Sequence, residues 1–441
     1  MMDCANYRGI SLLSLAGKVF CSIIQSRIQK KTEEILSESQ AGFRMGRSTV
    51  DQLFSLRQIA EKHMEIGRPL YCCYIDYQKA FDTVWQDGLW KSMEHLGYPA
   101  KIIRLLKALY KSSKSAVRVN DELTSWFTTN TGVRQGCILS PQLFNILLEL
   151  VLRIALDDVD IGIYILGELV NNLRFADDIV LLADSEKKLQ LLVDRVQDAS
   201  KKFGLTINIG KTQVQVISKV NTKVSISIDN SPLEQVDSFI YLGGVISNMA
   251  TSSEDIKRRI GLAMGVLQKL SPIWSSNEVS TLTKLQLYRV LVLTIVSYGA
   301  EAWTLKKRDE QRLLVFEMAC LRRIMGVSRR DKIRNATIRD TLDVQTTLVD
   351  RIRAKQLSYF GHVKRMPPSR YPKITLEGRI PGKRPQGRPP MRWTDNIKSI
   401  CKGMGLQSLV EAGYATTNRQ NWRIMVDRQL SPRPDVKGGK L

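Results

Sequence analysis

The stretch Leu173-Arg174-Phe175-Ala176-Asp177-Asp178-Ile179-Val180-Leu181-Leu182-Ala183 decides the fold. Two apolar runs, 173–176 and 179–183, are split by an Asp-Asp dipeptide, which predicts a strand hairpin with both acids at its tip. Taken alone, such a dipeptide is also what ordinary turn chemistry places between strands, because Asp side chains bond the local backbone. Upstream, Leu70–Ile75 is a short apolar, aromatic-rich run, read as a buried strand that ends at Asp76. Neighbouring strands would bring Asp76 and the pair Asp177 and Asp178 to one end of a sheet. Hard carboxylate oxygens suit Mg²⁺, which takes few of its ligands from protein. Nucleotide transfer through two such ions needs them about 3.5–4 Å apart.

Working outward, residues 18–35 space Val19, Ile23, Ile24 and Ile28 as a helix does. A second helix begins near Ser140-Pro141, with serine as cap, proline at the first helical position and Phe144, Leu147, Leu148 and Val151 on its face. Ser185 caps a third, whose stripe is Leu189, Leu192, Val193, Val196 and Phe203, stopped by Gly204. Strand-like pieces follow at 214–217, 224–228 and 239–242. After about Ser253 the texture is helical, and residues 367–390 read as a loop or semi-flexible arm rich in Pro, Gly and basic residues.

Composition sets the partner class. The 441 residues are 43% hydrophobic and 25% charged, a globular mixture, yet the formal net charge is +23. That charge is uneven: residues 1–250 carry 29 basic against 27 acidic side chains, and residues 251–441 carry 37 against 16. A polyanion held mainly by the second half is the expected partner, and nucleic acid is the leading one. The seven cysteines are scattered, with only Cys72 and Cys73 adjacent and no zinc-like spacing, so a reducing compartment is expected. Residues 1–18 lack the pattern of a signal peptide, and the apolar run at 290–296 is far short of a membrane span. The chain is expected to be soluble and intracellular, and not secreted.

The residues around the acids carry a family resemblance. FADDIVLLAD at 175–184 resembles the metal-binding hairpin of reverse transcriptases, and YIDYQKAFDTV at 74–84 their other catalytic strand. TGVRQGCILSPQLFN at 131–145 is similar to their nucleotide-contacting loop and helix. NYRGISLLS at 6–14, QAGFRMGRSTVDQ at 40–52, GLTINIGKT at 204–212 and YLGG at 241–244 follow in the order found in non-LTR (LINE-type) retrotransposons. Gly9 stands where that motif commonly has proline. LSYFGHVKRM at 357–366 and GKRPQGRPPMRW at 382–393 resemble the C-terminal regions of such elements.

The resemblance implies an α+β, right-hand polymerase fold: fingers at 1–69, a palm with an antiparallel sheet at 70–250, a helical thumb at 251–328 and a basic helical region at 329–441. It implies an RNA-directed DNA polymerase using two Mg²⁺ ions held by Asp76, Asp177 and Asp178. Phe81 matches the position that screens the sugar of the incoming nucleotide, where a ring would clash with a 2′-hydroxyl; core packing is the other use of such a ring. Gln135 and Gly136 match the loop that approaches the nucleotide, and Lys211 a basic residue near the leaving pyrophosphate. Arg44 and Arg47 lie where cations could clamp the triphosphate. Asp82 is set aside as a helix-start or surface acid.

The implied partners are an RNA template, a DNA primer or target, and deoxynucleoside triphosphates, with no membrane. As a ribonucleoprotein it is expected in nucleus and cytoplasm. Complete elements carry an endonuclease before the polymerase, and no such segment precedes Tyr7. The alternatives are an endonuclease in trans, or a catalytically inactive, nucleic-acid-binding remnant or truncated fragment of such an element. Basic clusters at 306–312, Arg322-Arg323, Arg329-Arg330 and 351–355 could follow a duplex backbone. Gly387-Arg388-Pro389 is similar to a minor-groove arm, or is a plain basic linker. Trp303, Trp393 and Trp422 either stack on bases or pack in the core. His362 has no partner at metal spacing.

Overall fold

The computed structural model describes residues 9–111, 113–119, 121–387 and 390–428. The start of the 6–14 motif, and Arg388 and Pro389 of the basic arm, lie outside the described residues. The chain divides into two compact units, one of residues 1–52 and 68–237, the other of residues 53–67 and 238–441.

The first unit is built on a five-stranded sheet. Strands β1 (Leu70–Ile75), β2 (Asn172–Phe175), β3 (Asp178–Ala183), β4 (Gln213–Ile217) and β5 (Glu234–Gln235) lie in the order β5-β4-β1-β3-β2. β1 is central, antiparallel to β4 and β3, and nearly all its residues are buried, as a strand covered on both faces requires. Helix α1 (Leu15–Ile35) precedes α2 (Thr49–Ile66), whose first residues to Gln52 belong here. After β1 come α3 (Gln86–His95), α4 (Ala100–Tyr110), α5 (Ser140–Leu156) and, beyond β3, α6 (Glu186–Lys202). α6 packs on β1 and β3 and against α5, which also carries α3.

The expected helices form, with local differences. α5 is buried all round, not on one face, because sheet-side helices enclose it. Its Ser140 is the first helical residue, and its hydroxyl donates to the Arg134 carbonyl (2.7 Å) instead of capping. Ser185 stands at the start of α6 without a side-chain cap bond. The 224–228 piece shrinks to Ser227–Ile228, paired with Ser231–Pro232. Within 367–390, expected as a loop, Tyr371–Glu377 is helical, with Ile374 and Leu376 buried.

The second unit is helical apart from the hairpin β6 (Ser238–Tyr241) and β7 (Gly244–Ser247). Its longer helices are α7 (Ser253–Lys269), α8 (Lys307–Met325), α9 (Leu348–Lys364), α10 (Trp393–Gly403) and α11 (Arg419–Arg428). The rest of α2 sits in this core: the Phe54 ring meets Tyr359 and Trp393 edge-on at 5.1 and 4.8 Å. Arg57 on α2 pairs with the buried Asp255 on α7 at 2.7 Å, and the Trp303 indole donates to the same carboxylate at 2.8 Å. Trp393 donates to the Glu301 carbonyl and Trp422 to that of Leu357. All three tryptophans are therefore core residues with satisfied indoles, the use that large amphipathic rings favour. His362 is exposed beside Tyr359.

Candidate active site

The sheet register places the acids. β1 pairs with β3 as far as Ile75 opposite Ile179, so Asp76 and Asp178 are the residues next to that last pair on the two chains. β2 and β3 close on Phe175 opposite Asp178, leaving Ala176 and Asp177 as a two-residue turn. Asp178 therefore opens a strand, and only Asp177 lies in the turn proper. Asp76 and Asp177 are half-buried and Asp178 is exposed. Ala176 carries φ +57°, a conformation two-residue hairpin turns use and normally give to glycine.

Lys211 belongs to the turn beside Asp76. The Asp76 amide donates to the Thr212 hydroxyl (3.3 Å), its carbonyl accepts from the Asn208 amide (2.7 Å), and Lys211 is exposed between them.

The 131–136 loop is fastened to the turn that follows Asp76. Val133 donates to the Phe81 carbonyl (2.7 Å), Gly132 to that of Val84 (2.8 Å), and the Gln135 amide to the Asp82 carboxylate (2.9 Å). Asp82 lies in a turn, not at a helix start, since α3 begins only at Gln86. Its use is to hold Gln135, a role sequence spacing does not reveal. Gly136, at φ +100°, has the Ser11 carbonyl 2.9 Å from where a Cβ would stand. The half-buried Phe81 ring stacks on Phe144 with centroids 4.8 Å apart. Cys137 anchors the loop beneath, its thiol 3.6 Å from that of Cys21. Burial pushes the Cys21 thiol up to about 11, so it stays protonated. The six described cysteines are free.

The two arginines are engaged within the protein. Arg44 is buried, its guanidinium donating to the Glu33 carboxylate (3.1 Å) and to the Ser37 and Gln40 carbonyls (2.7 and 3.0 Å). Arg47 pairs with Glu38 at 2.5 Å.

Among the described residues, no three His, Cys, Asp or Glu side chains gather closely enough to hold an ion unaided. Asp76, Asp177 and Asp178 do not form such a group by themselves; carboxylate oxygens are nonetheless the donor type a hard divalent cation takes, with phosphate oxygens and water completing such shells.

Residues 39–42, whose role the sequence leaves unmarked, lie against the hairpin. Asn145 on α5 donates to the Gly42 carbonyl (2.8 Å), and a Cβ at Gly42 would stand 2.3 Å from the Ala176 nitrogen and 2.8 Å from the Phe175 carbonyl carbon. Gly42→Ala is therefore expected to displace the hairpin and cost about 1–3 kcal/mol. Urea unfolding followed by circular dichroism measures this, and an unchanged midpoint would mean that the approach is looser than it stands.

The family described as "Reverse transcriptase (RNA-dependent DNA polymerase)" matches residues 2–246. A transposon-derived protein of Caenorhabditis elegans is 27% identical over 278 residues, 60% of this chain and 98% of that protein. The RNA-directed DNA polymerase from mobile element jockey of Drosophila funebris is 24% identical over 74% of this chain and 36% of its own length. The Pol polyprotein from type-1 retrotransposable element R2 of Nasonia vitripennis is 28% identical over 61% of this chain. The chain spans about a third of the jockey protein and a quarter (26%) of the R2 polyprotein.

Proposed function

Because the chain belongs to the reverse transcriptase (RNA-dependent DNA polymerase) family, we propose that it is an RNA-directed DNA polymerase of a non-LTR retrotransposon, with a right-hand polymerase fold. A primer 3′-hydroxyl attacks the α-phosphate of a deoxynucleoside triphosphate on an RNA template, and pyrophosphate leaves. The observation that supports this reading is the pairing of β1 with β3 up to Ile75 opposite Ile179, which leaves Asp76 and Asp178 next to that pair and beside the Asp177 turn. Asp76, Asp177 and Asp178 would hold two Mg²⁺ ions, which when bound activate the attacking hydroxyl and neutralise charge on the leaving group.

The chain's own residues supply orientation. Phe81, fixed by its stack on Phe144, screens the sugar edge. Gln135, held by Asp82, and Gly136 present loop backbone to the nucleotide. Lys211, exposed beside Asp76, offers a cation for the pyrophosphate. Arg44 or Arg47 would join the triphosphate only by exchanging Glu33 or Glu38 for it.

Fingers, palm, thumb and basic region are assigned to 1–69, 70–250, 251–328 and 329–441; these are functional parts, and the two compact units group the chain differently. Exposed cations at Lys306, Lys307, Arg308, Arg323, Arg329 and Arg330 serve the nucleic-acid backbone. Arg312, Arg353 and Lys355 are bound in ion pairs to Asp309, Glu310 and Glu301. No helix among the described residues is long and apolar enough to cross a membrane. An endonuclease in trans would supply target cleavage, and nucleus and cytoplasm are the proposed sites of action.

The test is primer extension on an RNA template with Mg²⁺. Incorporation of deoxynucleotides supports the reading, and duplex binding without extension replaces it with a nucleic-acid-binding role. In the same assay Phe81→Ala should lower discrimination against ribonucleotides by on the order of 10²-fold. Unchanged discrimination, with the fold intact by circular dichroism, would leave Phe81 a packing residue.

A further inference from the structure

The Asp177 turn is held from behind by a side chain that the polymerase reading does not use. Segment 39–42 runs alongside the end of β2. Ala41 donates to the Arg174 carbonyl (2.9 Å), Arg174 donates to the Ser39 carbonyl (2.8 Å), and Gln40 and Arg174 form a parallel bridge. Gln52 secures both strands, donating to the Ser39 and Arg174 carbonyls at 2.8 and 3.0 Å. This arrangement brings the Gln40 side chain, 1% exposed, to the turn. Its amide oxygen accepts from the Ala176 amide at 2.9 Å and from the Gly42 amide at 2.8 Å.

Two costs meet at Ala176. The residue is 2% exposed, so its N–H would be buried without a partner if Gln40 were absent. It also occupies the left-handed region at φ +57°, which a residue with a Cβ adopts only when its surroundings impose it. One acceptor addresses both, because fixing that N–H direction fixes the Phe175–Ala176 peptide, and with it the φ of the residue that precedes Asp177. Gly42 leaves no space for the turn to relax toward the 39–42 segment.

We propose that Gln40 is a positioning residue that locks the Ala176 peptide and so sets where Asp177 and Asp178 present their carboxylates. The catalytic consequence rests on the polymerase reading above; the hold on the turn does not. The experiment compares Gln40→Leu, which deletes the acceptor, with Gln40→Glu, which keeps an oxygen there. Hydrogen exchange by mass spectrometry on the metal-free protein should show at least tenfold faster exchange in peptides covering 175–178 for Gln40→Leu. Exchange in β1 and β4 should not change, and Gln40→Glu should resemble wild type. In primer extension Gln40→Leu should lower kcat by on the order of 10²-fold, as small misplacements of reacting groups do. KM for the deoxynucleotide should stay within about twofold, and Gln40→Glu should recover most of kcat. Unchanged exchange in Gln40→Leu overturns the hold on the turn. Faster exchange with full kcat overturns the positioning role. If wild type extends no primer, the polymerase reading fails, and the exchange comparison alone decides whether Gln40 holds the turn.

Discussion

Asp177→Ala is expected to abolish deoxynucleotide incorporation, by on the order of 10³-fold or more, while leaving the fold and duplex binding as they were. The size follows from what a metal-ligating carboxylate supplies, several kcal/mol of charge stabilisation concentrated in the transition state. The selectivity follows from position. Asp177 lies between the last paired residues of β2 and β3, outside the ladder, so losing its side chain removes no sheet bond. Single-turnover extension and duplex binding by fluorescence anisotropy separate the two effects. Asp178→Ala should cost less, because Asp178 is the more exposed acid. If Asp177→Ala kept its rate within about tenfold of wild type, the metal assignment at this turn would be wrong.

The largest expected effect on stability lies far from these acids along the chain. Asp255→Ala should destabilise the second unit by about 3–5 kcal/mol, the usual result of stranding one partner of a buried ion pair. Asp255 is 1% exposed, accepts from Arg57 and Trp303, and has Arg259 at 3.8 Å. Removing it leaves the Arg57 guanidinium buried with only the Ser252 hydroxyl (2.8 Å) and the Val245 carbonyl (3.1 Å). Against a whole-domain stability of about 5–15 kcal/mol, such a loss is decisive. Replacing both partners, as Arg57→Met with Asp255→Leu, should cost less than Asp255→Ala alone. Urea unfolding followed by tryptophan fluorescence reports on this unit through Trp274, Trp303, Trp393 and Trp422, all in its core. A single-variant loss below about 1 kcal/mol would show that the pair is offset elsewhere.

What was legible in the sequence, and what was not, divides by the range of the interaction. The hairpin, β1, α5 and α6 are visible because each writes its own periodicity into consecutive residues. That Asp76 and Asp178 stand at the same end of neighbouring strands follows once those strands are adjacent. Gln40 could be quoted within its motif, but a glutamine amide carries no local signal that its partner is the amide of residue 176. That Arg44 is engaged within the protein is not legible, because the backbone carbonyls that receive it have no sequence signature. Asp82 is the surface acid the sequence allows and not the helix-start one, and its contact with Gln135, 53 residues on, has no local signal. Likewise, nothing within residues 53–67 announces that their companions are Tyr359 and Trp393.

The division of α2 also has a consequence for the order in which the molecule can be made. Residues 53–67 leave the ribosome early, yet the unit they complete resumes only at residue 238. At about 5–20 residues per second the wait is roughly 9–34 s. Throughout it Phe54, Leu56 and Ile59 lack the neighbours that finally bury them to 0% exposure. A nascent chain carrying a helix with an uncovered apolar face for that long is a natural client for a holding chaperone. A fragment ending near residue 246, where the family match stops, would keep that need permanently.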